Sequence, residues 1–400
     1  MKNKVMMIIL LVISSNPLTM YAFPQPVGGL MPYIREARSF KVEVRETSVT
    51  ISVIGPISEE FAVIIDNNGG VHSIRVAQIN YTAEGGAFIW DNAWQQLYGS
   101  DSISKPIVEE KPNCVEITTF ALYRIHPVKI VTKMTISKNG VIIVDMNATA
   151  VEDADKILRI GWGFWGFPVS LFGGRYAEVC REGTIVKVEL PLEYNSAYTR
   201  FYDTNRMTYW MDFSTISEGI TMINIAPSLT TAFGIGDNRG NTDPPPSPTF
   251  YAHFSFTEWQ KSGMKKGEVR RGRMALYIHG PGGYEENKDM VNLILDVGRV
   301  EDAAINAISS STNPSDRNLA QEALLYAHSA YEKIFEGDIE GARKLLEEAS
   351  HLVRKTGGAD SAKPIVSILI LIVVAACILA IYYLKRRRIA FSFKSSTTIT

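Results

Sequence analysis

Residues 129–147 read Lys-Ile-Val-Thr-Lys-Met-Thr-Ile-Ser-Lys-Asn-Gly-Val-Ile-Ile-Val-Asp-Met-Asn, and this stretch decides the fold. Asn139-Gly140 accepts the positive φ angles of a tight turn. The flanking runs, Lys129 to Ser137 and Val141 to Asn147, are rich in β-branched residues. Two such runs joined by Asn-Gly predict an antiparallel hairpin.

Working outward, the same texture continues from about Phe40 to His279. Val42, Val44, Val49, Ile51 and Val53 alternate with polar residues, the period of a half-buried strand. Phe61 to Asp66, the turn Asn67-Asn68-Gly69-Gly70 and Val71 to Ile79 read as strand, turn, strand. Further strands are expected at 115–124, 157–162, 184–194, 220–226, 250–256 and 273–279. About fourteen short strands without long helical patterns predict a mainly β fold, a large antiparallel β-sandwich over residues 23–283. The Pro-rich segment 243–248 reads as an exposed excursion.

After Gly282-Gly283 the period changes. Asn287 to Ser309 carries Val291, Ile294, Leu295 and Gly298 on one side. Asn313-Pro314-Ser315 can open a second helix, because proline in the first turn loses no bond. Gly337-Asp338 ends it, and Ile339 to Val353 forms a third. Residues 330–342 resemble one hairpin of a tetratricopeptide-like array, which is too little to stand alone. The expectation is a small helical bundle over 284–356, acting as a membrane-proximal stalk, followed by a flexible linker at 357–363.

The two ends place the chain. Lys2 and Lys4 precede an apolar stretch from Val5 to Ile13, too short to span a bilayer but suited to a signal peptide over residues 1–22. Ala22 suits the cleavage position, although Met20 is bulky for that box, which leaves an uncleaved anchor as the alternative. Near the other end, Ile365 to Leu384 holds no charge and has the length of one transmembrane helix, placed at 364–384. Lys385, Arg386, Arg387 and Arg388 follow at once and favour the cytoplasmic side, where they can meet anionic membrane lipid. The expected location is the plasma membrane, single-pass, with the bulk outside and a short tail, 385–400, inside.

The chain has 400 residues and a formal net charge of −1, so no strong field draws nucleic acid. Cys377 lies in the apolar span, which leaves Cys114 and Cys180 as a disulfide candidate closing a loop of about 65 residues. Asn80-Tyr81-Thr82 and Asn147-Ala148-Thr149 are glycosylation sequons, consistent with an exterior location.

Chemistry-bearing motifs are few. Gly161-Trp162-Gly163-Phe164-Trp165-Gly166 spells a dinucleotide fingerprint, but Pro168 and Gly173-Gly174 follow where a helix is required. The same stretch, extended to Tyr176, holds six aromatics. Trp162, Trp165 and Tyr176 can form a ligand platform, with Arg175 binding an acidic substituent. Alternatively these rings fill the sandwich core. Glu152, Asp153 and Asp155, and Asp237, Asn241 and Asp243, are acidic loops without EF-hand spacing, and no metal or cofactor is expected. His279 reads either as a catalytic base or as a satisfied loop histidine, and His-Glu-x-x-His, Gly-x-Ser-x-Gly and Cys-x-x-Cys are absent.

The long strand-rich region with its Asn-Gly hairpins and aromatic loop resembles the supersandwich of galactose-mutarotase-like and polysaccharide-processing proteins. That resemblance implies sugar handling by analogy of fold. The family's catalytic histidine and glutamate do not map onto positions here. The leading expectation is a surface protein whose sandwich binds a glycan or protein partner. An anchored lyase or epimerase and a structural envelope subunit are the alternatives. The placement makes a checkable demand: the full-length chain should sediment with membranes and require detergent, whereas a chain ending at Gly358 should remain in the aqueous fraction.

Overall fold

The computed structural model describes residues 38–54, 60–77, 79–91, 100–240, 248–256 and 263–356. The signal peptide, the transmembrane span, the basic tail and, apart from Pro248, the Pro-rich segment therefore lie outside the described residues. No helix among those described is long and apolar enough to cross a membrane.

The strands, in chain order, begin with β1 (Ser39–Val44), β2 (Ser48–Ile54), β3 (Phe61–Asp66), β4 (Val71–Val76) and β5 (Ile79–Asp91). Next come β6 (Ser100–Ser102), β7 (Ile107–Glu110), β8 (Cys114–Tyr123), β9 (Val128–Ser137) and β10 (Val141–Ala150). β11 (Ile157–Pro168) runs into a single helical turn, α1 (Val169–Phe172). β12 (Arg175–Arg181), β13 (Thr184–Leu190), β14 (Arg200–Thr204), β15 (Thr208–Ser214) and β16 (Gly219–Ile223) follow. β17 (Ala232–Asp237), β18 (Thr249–Ser255) and β19 (Val269–His279) complete the set.

These strands form two antiparallel sheets. The first has the order β1-β2-β3-β4-β5-β11-β18-β17-β14, and the second β13-β12-β15-β16-β19-β10-β9-β8-β6, with β7 also on β8. The Asn139-Gly140 hairpin is present as β9 and β10, with Ile142 opposite Ile136. Alternation in β2 puts Val49, Ile51 and Val53 inside, as their period requires. The core lies between the sheets, where Trp162, Phe164, Phe167, Phe213, Phe250 and Phe254 meet aliphatic side chains of both. Phe167 and Phe213 stack across it with centroids 4.1 Å apart.

Three helices follow: α2 (Gly283–Ser310), α3 (Pro314–Glu336) and α4 (Ile339–Lys355). Their caps are those the sequence offers. The Asn313 side chain accepts from Ser315 N, Gly337 adopts φ 84° after α3, and Asp338 accepts from Gly341 N.

The helices are not a separate stalk. Val291, Ile294 and Leu295 pack on the outer face of the second sheet, in one apolar cluster with Val141, Ile143 and Ile223. A sheet that is apolar on both faces must be covered on both, and α2 supplies the second cover. Gly298 permits the approach, since a Cβ there would lie 2.3 Å from that of Ile225. Trp210 stacks on Tyr284 at 4.0 Å, and the Arg299 guanidinium lies 4.0 Å above the Tyr209 ring. The boundary drawn at residue 283 therefore separates two periodicities but not two packing units.

The disulfide expectation is likewise corrected. Cys114 and Cys180 are buried free thiols. They sit in β8 and β12, six strand positions apart in the second sheet. At ~4.8 Å per strand that is on the order of 29 Å, far beyond the ~7 Å limit for bridged Cα atoms.

The hairpin turn also holds the helices. Asn139 Nδ2 donates to the Ile334 and Phe335 carbonyls at 2.9 and 3.0 Å, capping the C-terminus of α3 with a side chain of the β9–β10 turn. Replacing Asn139 by Ala should lower the stability of the whole unit by ~1–3 kcal/mol, because buried carbonyls lose their donor. An unchanged midpoint in chemical denaturation would remove the cap from the account.

Candidate functional site

On β11 the sequence Gly161-Trp162-Gly163-Phe164 alternates glycine with aromatic residues. Trp162 and Phe164 point into the sandwich core, so the glycines occupy the outer face. There the missing side chains make room for rings from neighbouring strands. A Cβ on Gly161 would lie 2.4 Å from Phe88 Cζ, and one on Gly163 would lie 2.6 Å from His253 Cβ. Gly234 and Gly236 on β17 do the same for the His253 ring and the Tyr251 hydroxyl, at 2.3 and 2.4 Å. The same alternation puts Trp165 on the outer face, outside the core cluster and against the same rings, and a register shift between Phe164 and Phe167 then returns Phe167 to the core.

The result is a floor of rings lying on the outer face of the first sheet. Trp165 stacks on His253 with centroids 6.0 Å apart and planes 17° apart, and Tyr251 stacks on His253 at 5.9 Å and 29°. Trp90 meets His253 at 5.2 Å and Phe88 at 5.0 Å. The Arg159 guanidinium lies 5.2 Å above the Trp90 ring. Trp165 and His253 are buried, while Trp90 and Tyr251 remain half-buried at the rim. At the β14 edge, Arg200 and Asp203 form an exposed pair at 3.4 Å.

The electrostatics fix protonation. Burial, reinforced by the Arg159 and Arg200 charges, holds the His253 imidazole well below its ordinary pKa, so the ring is neutral. Arg159 Nη1 lies 3.3 Å from His253 Nε2 and can only donate. Nε2 therefore presents its lone pair, and the ring proton sits on Nδ1. His253 Nδ1 and, two residues along the same face, Ser255 Oγ are buried without a hydrogen-bond partner. Burial lowers Arg159 to about 10 and raises Tyr251 to about 12, so the first stays charged and the second neutral near pH 7. The floor offers apolar faces, one fixed cation and two unanswered polar groups. Most of it is buried, with Trp90 and Tyr251 half-exposed at the rim, and its histidine is not an acid at neutral pH.

Of the four residues proposed from sequence, Trp165 alone belongs to this floor. Trp162 is fully buried in the core, so its platform role is withdrawn. Arg175 and Tyr176 lie on β12 of the other sheet, where Arg175 Nε donates to Leu171 O at 2.9 Å and Tyr176 is exposed. Sequence reasoning missed Trp90, Arg159, Tyr251 and His253. The alternations Gly234-Ile235-Gly236 and Tyr251-Ala252-His253 carry the signal, but only their pairing on adjacent strands gives it meaning.

Other candidates resolve as structural groups. His279 is buried, with Nε2 2.9 Å from Asp212 Oδ1 and Nδ1 2.9 Å from Gly280 O. Ser214 donates to Asp212 at 2.5 Å and not to the imidazole, so the three lack the order of a nucleophilic triad. Asp153 and Asp155 pair with Lys265 at 3.2 and 3.4 Å, and Asp237 pairs with Arg239 at 2.6 Å. Among the described residues no group of His, Cys, Asp and Glu could hold a metal ion.

No family model and no curated protein matches the chain. Among solved structures it is similar to a galactose 1-epimerase from Lactobacillus acidophilus NCFM, with a TM-score of 0.36 and 7% identity over 62% of this chain and 99% of that one. A heparan sulfate lyase, HepC, from Pedobacter heparinus gives 0.36 and 9% over 60% of this chain and 36% of the lyase. A TPR-domain containing protein from Parabacteroides distasonis gives 0.35 and 11% over 79% and 69%.

Two outcomes follow from the floor. Gly234→Ala should displace the His253 ring and cost ~1–3 kcal/mol, measured by denaturation. Between the depressed folded pKa and the free value near 6.5, the unfolded chain binds a proton that the folded chain does not, so stability falls as pH drops below ~6.5. His253→Gln should flatten that part of the stability–pH curve. An unchanged slope would show that the ring is charged when folded.

Proposed function

We propose that the ring floor on the outer face of the first sheet binds carbohydrate, and that the chain presents this surface outside the cell, tethered by its C-terminal apolar span. The observation that carries the reading is the pair of half-exposed rings, Trp90 and Tyr251, at the rim of a floor whose inner rings are seated on glycines. A pyranose offers an apolar face to such rings. A ring held neutral in this way has no imidazolium proton to give as a general acid. The tether rests on the sequence alone: an uncharged run from Ile365 to Leu384 followed by four cations.

The test is retention on immobilised polysaccharides. Trp90→Ala and Tyr251→Ala should each weaken binding about tenfold or more, the loss of ~1–2 kcal/mol of ring contact. Tyr176→Ala, on the other sheet, should leave it unchanged. Equal retention by all three variants would discard the floor as the site, and release of unsaturated or shortened products from the same panel would assign it to an enzyme.

A further inference from the structure

The outer face of the second sheet is only partly covered. Beyond the apolar contacts of α2, the sheet and helix diverge around a cavity of about 520 Å³. Its deep end is saturated with charge. Arg273 is held between Asp145 and Glu301, and Glu301 also accepts from His328 Nε2 at 2.8 Å. Asp302 is similarly spent on the Ser228 amide and hydroxyl, at 2.9 and 2.5 Å.

The mouth is different. Val131, Asn147 and Arg271 lie side by side across β9, β10 and β19, and Ile305 and Asn306 face them from α2. Asn147 and Arg271 are both exposed there, and Ile305 is one of the exposed apolar side chains of the helix. Two amides and a guanidinium around aliphatic side chains fit a neutral sugar, whose hydroxyls take the polar groups while its ring covers Val131 and Ile305. Asn147 also opens the triplet Asn147-Ala148-Thr149. The other sequon residue, Asn80, projects to solvent near the start of β5.

We infer that Asn147 is N-glycosylated and that the first sugars of its chain seat in this groove between β10 and α2. The inference rests on the exported placement proposed above. In the attachment step Asn147 Nδ2 forms a bond to the anomeric carbon of a lipid-pyrophosphate-linked oligosaccharide. The carbon–oxygen bond to pyrophosphate breaks, the lipid pyrophosphate leaves as the anion, and the lost amide proton passes to the base of the host transferase. The glycan then completes the cover of the second sheet that α2 begins.

The test uses full-length protein isolated from its native membrane. Peptide mass mapping should find sugar on Asn147. Enzymatic removal of the glycan should speed amide exchange over Gly298–Asn306 about tenfold while leaving β1–β3 unchanged. Thr149→Ala, which abolishes the sequon but keeps the Asn147 amide, should reproduce the faster exchange. Sugar on Asn80 with Asn147 bare would overturn the inference and leave export standing. Both sites bare would also overturn it, and protease treatment of intact cells then decides export separately, because only an exterior body is cleaved. A glycosylated Asn147 whose removal leaves exchange unchanged would overturn the seating.

Discussion

β11 is buried on both sides, and that single constraint organises the molecule. A strand in the middle of a sheet whose two faces are both occupied cannot alternate apolar with polar. Here it alternates large with absent. Inward, Trp162, Phe164 and Phe167 fill the space between the sheets. Outward, Gly161 and Gly163 carry nothing, so that Phe88 and His253 from the neighbouring strands can pack against the backbone. The core and the candidate site are therefore two consequences of one residue pattern. A side chain added to either glycine would lift a ring from the floor, and a smaller residue at Trp162 would open a void beneath it.

The second sheet meets the same demand in another way. Its outer face is closed by α2, and the closure is secured at two distant points. Near the start of the helix, Tyr284 stacks on Trp210. At the far end of α3, the side chain of the hairpin turn residue Asn139 caps two carbonyls. A turn that nucleates locally thus takes on a tertiary role, binding the strand-rich and helical halves into one unit. Where this cover runs out, the charges of Asp145, Arg273 and Glu301 replace apolar contact. Each is paired, as burial of ions in a low-dielectric interface requires.

Much of this was legible in the residues. Asn139-Gly140, the alternation in β2, Asn313-Pro314 and Gly337-Asp338 are local signals with local causes, and each appears where its chemistry put it. The site was legible only in part. Trp165 was singled out for its company of rings, yet Trp162, three residues away, shares that company and lies on the opposite face. Their odd spacing puts them on opposite faces of one strand, but only the assembled sheets decide which face is the core. Cys114 and Cys180 show the same limit: compartment and number favoured a bond, while strand order separates the thiols by six positions.

By itself, the sequence determined the strand-rich body, its hairpin, the three helices and the apolar span near residue 384, because turn chemistry, side-chain period and solvation act within a few residues. The tertiary structure alone decided which strands became neighbours. That choice brought Trp90, Arg159, Tyr251 and His253 together from three strands, hid Trp162, parted the cysteines and folded the helices back onto the sheet. Such pairings follow from the free energy of covering whole apolar faces, a quantity that belongs to the assembled sheets and to no segment of the chain.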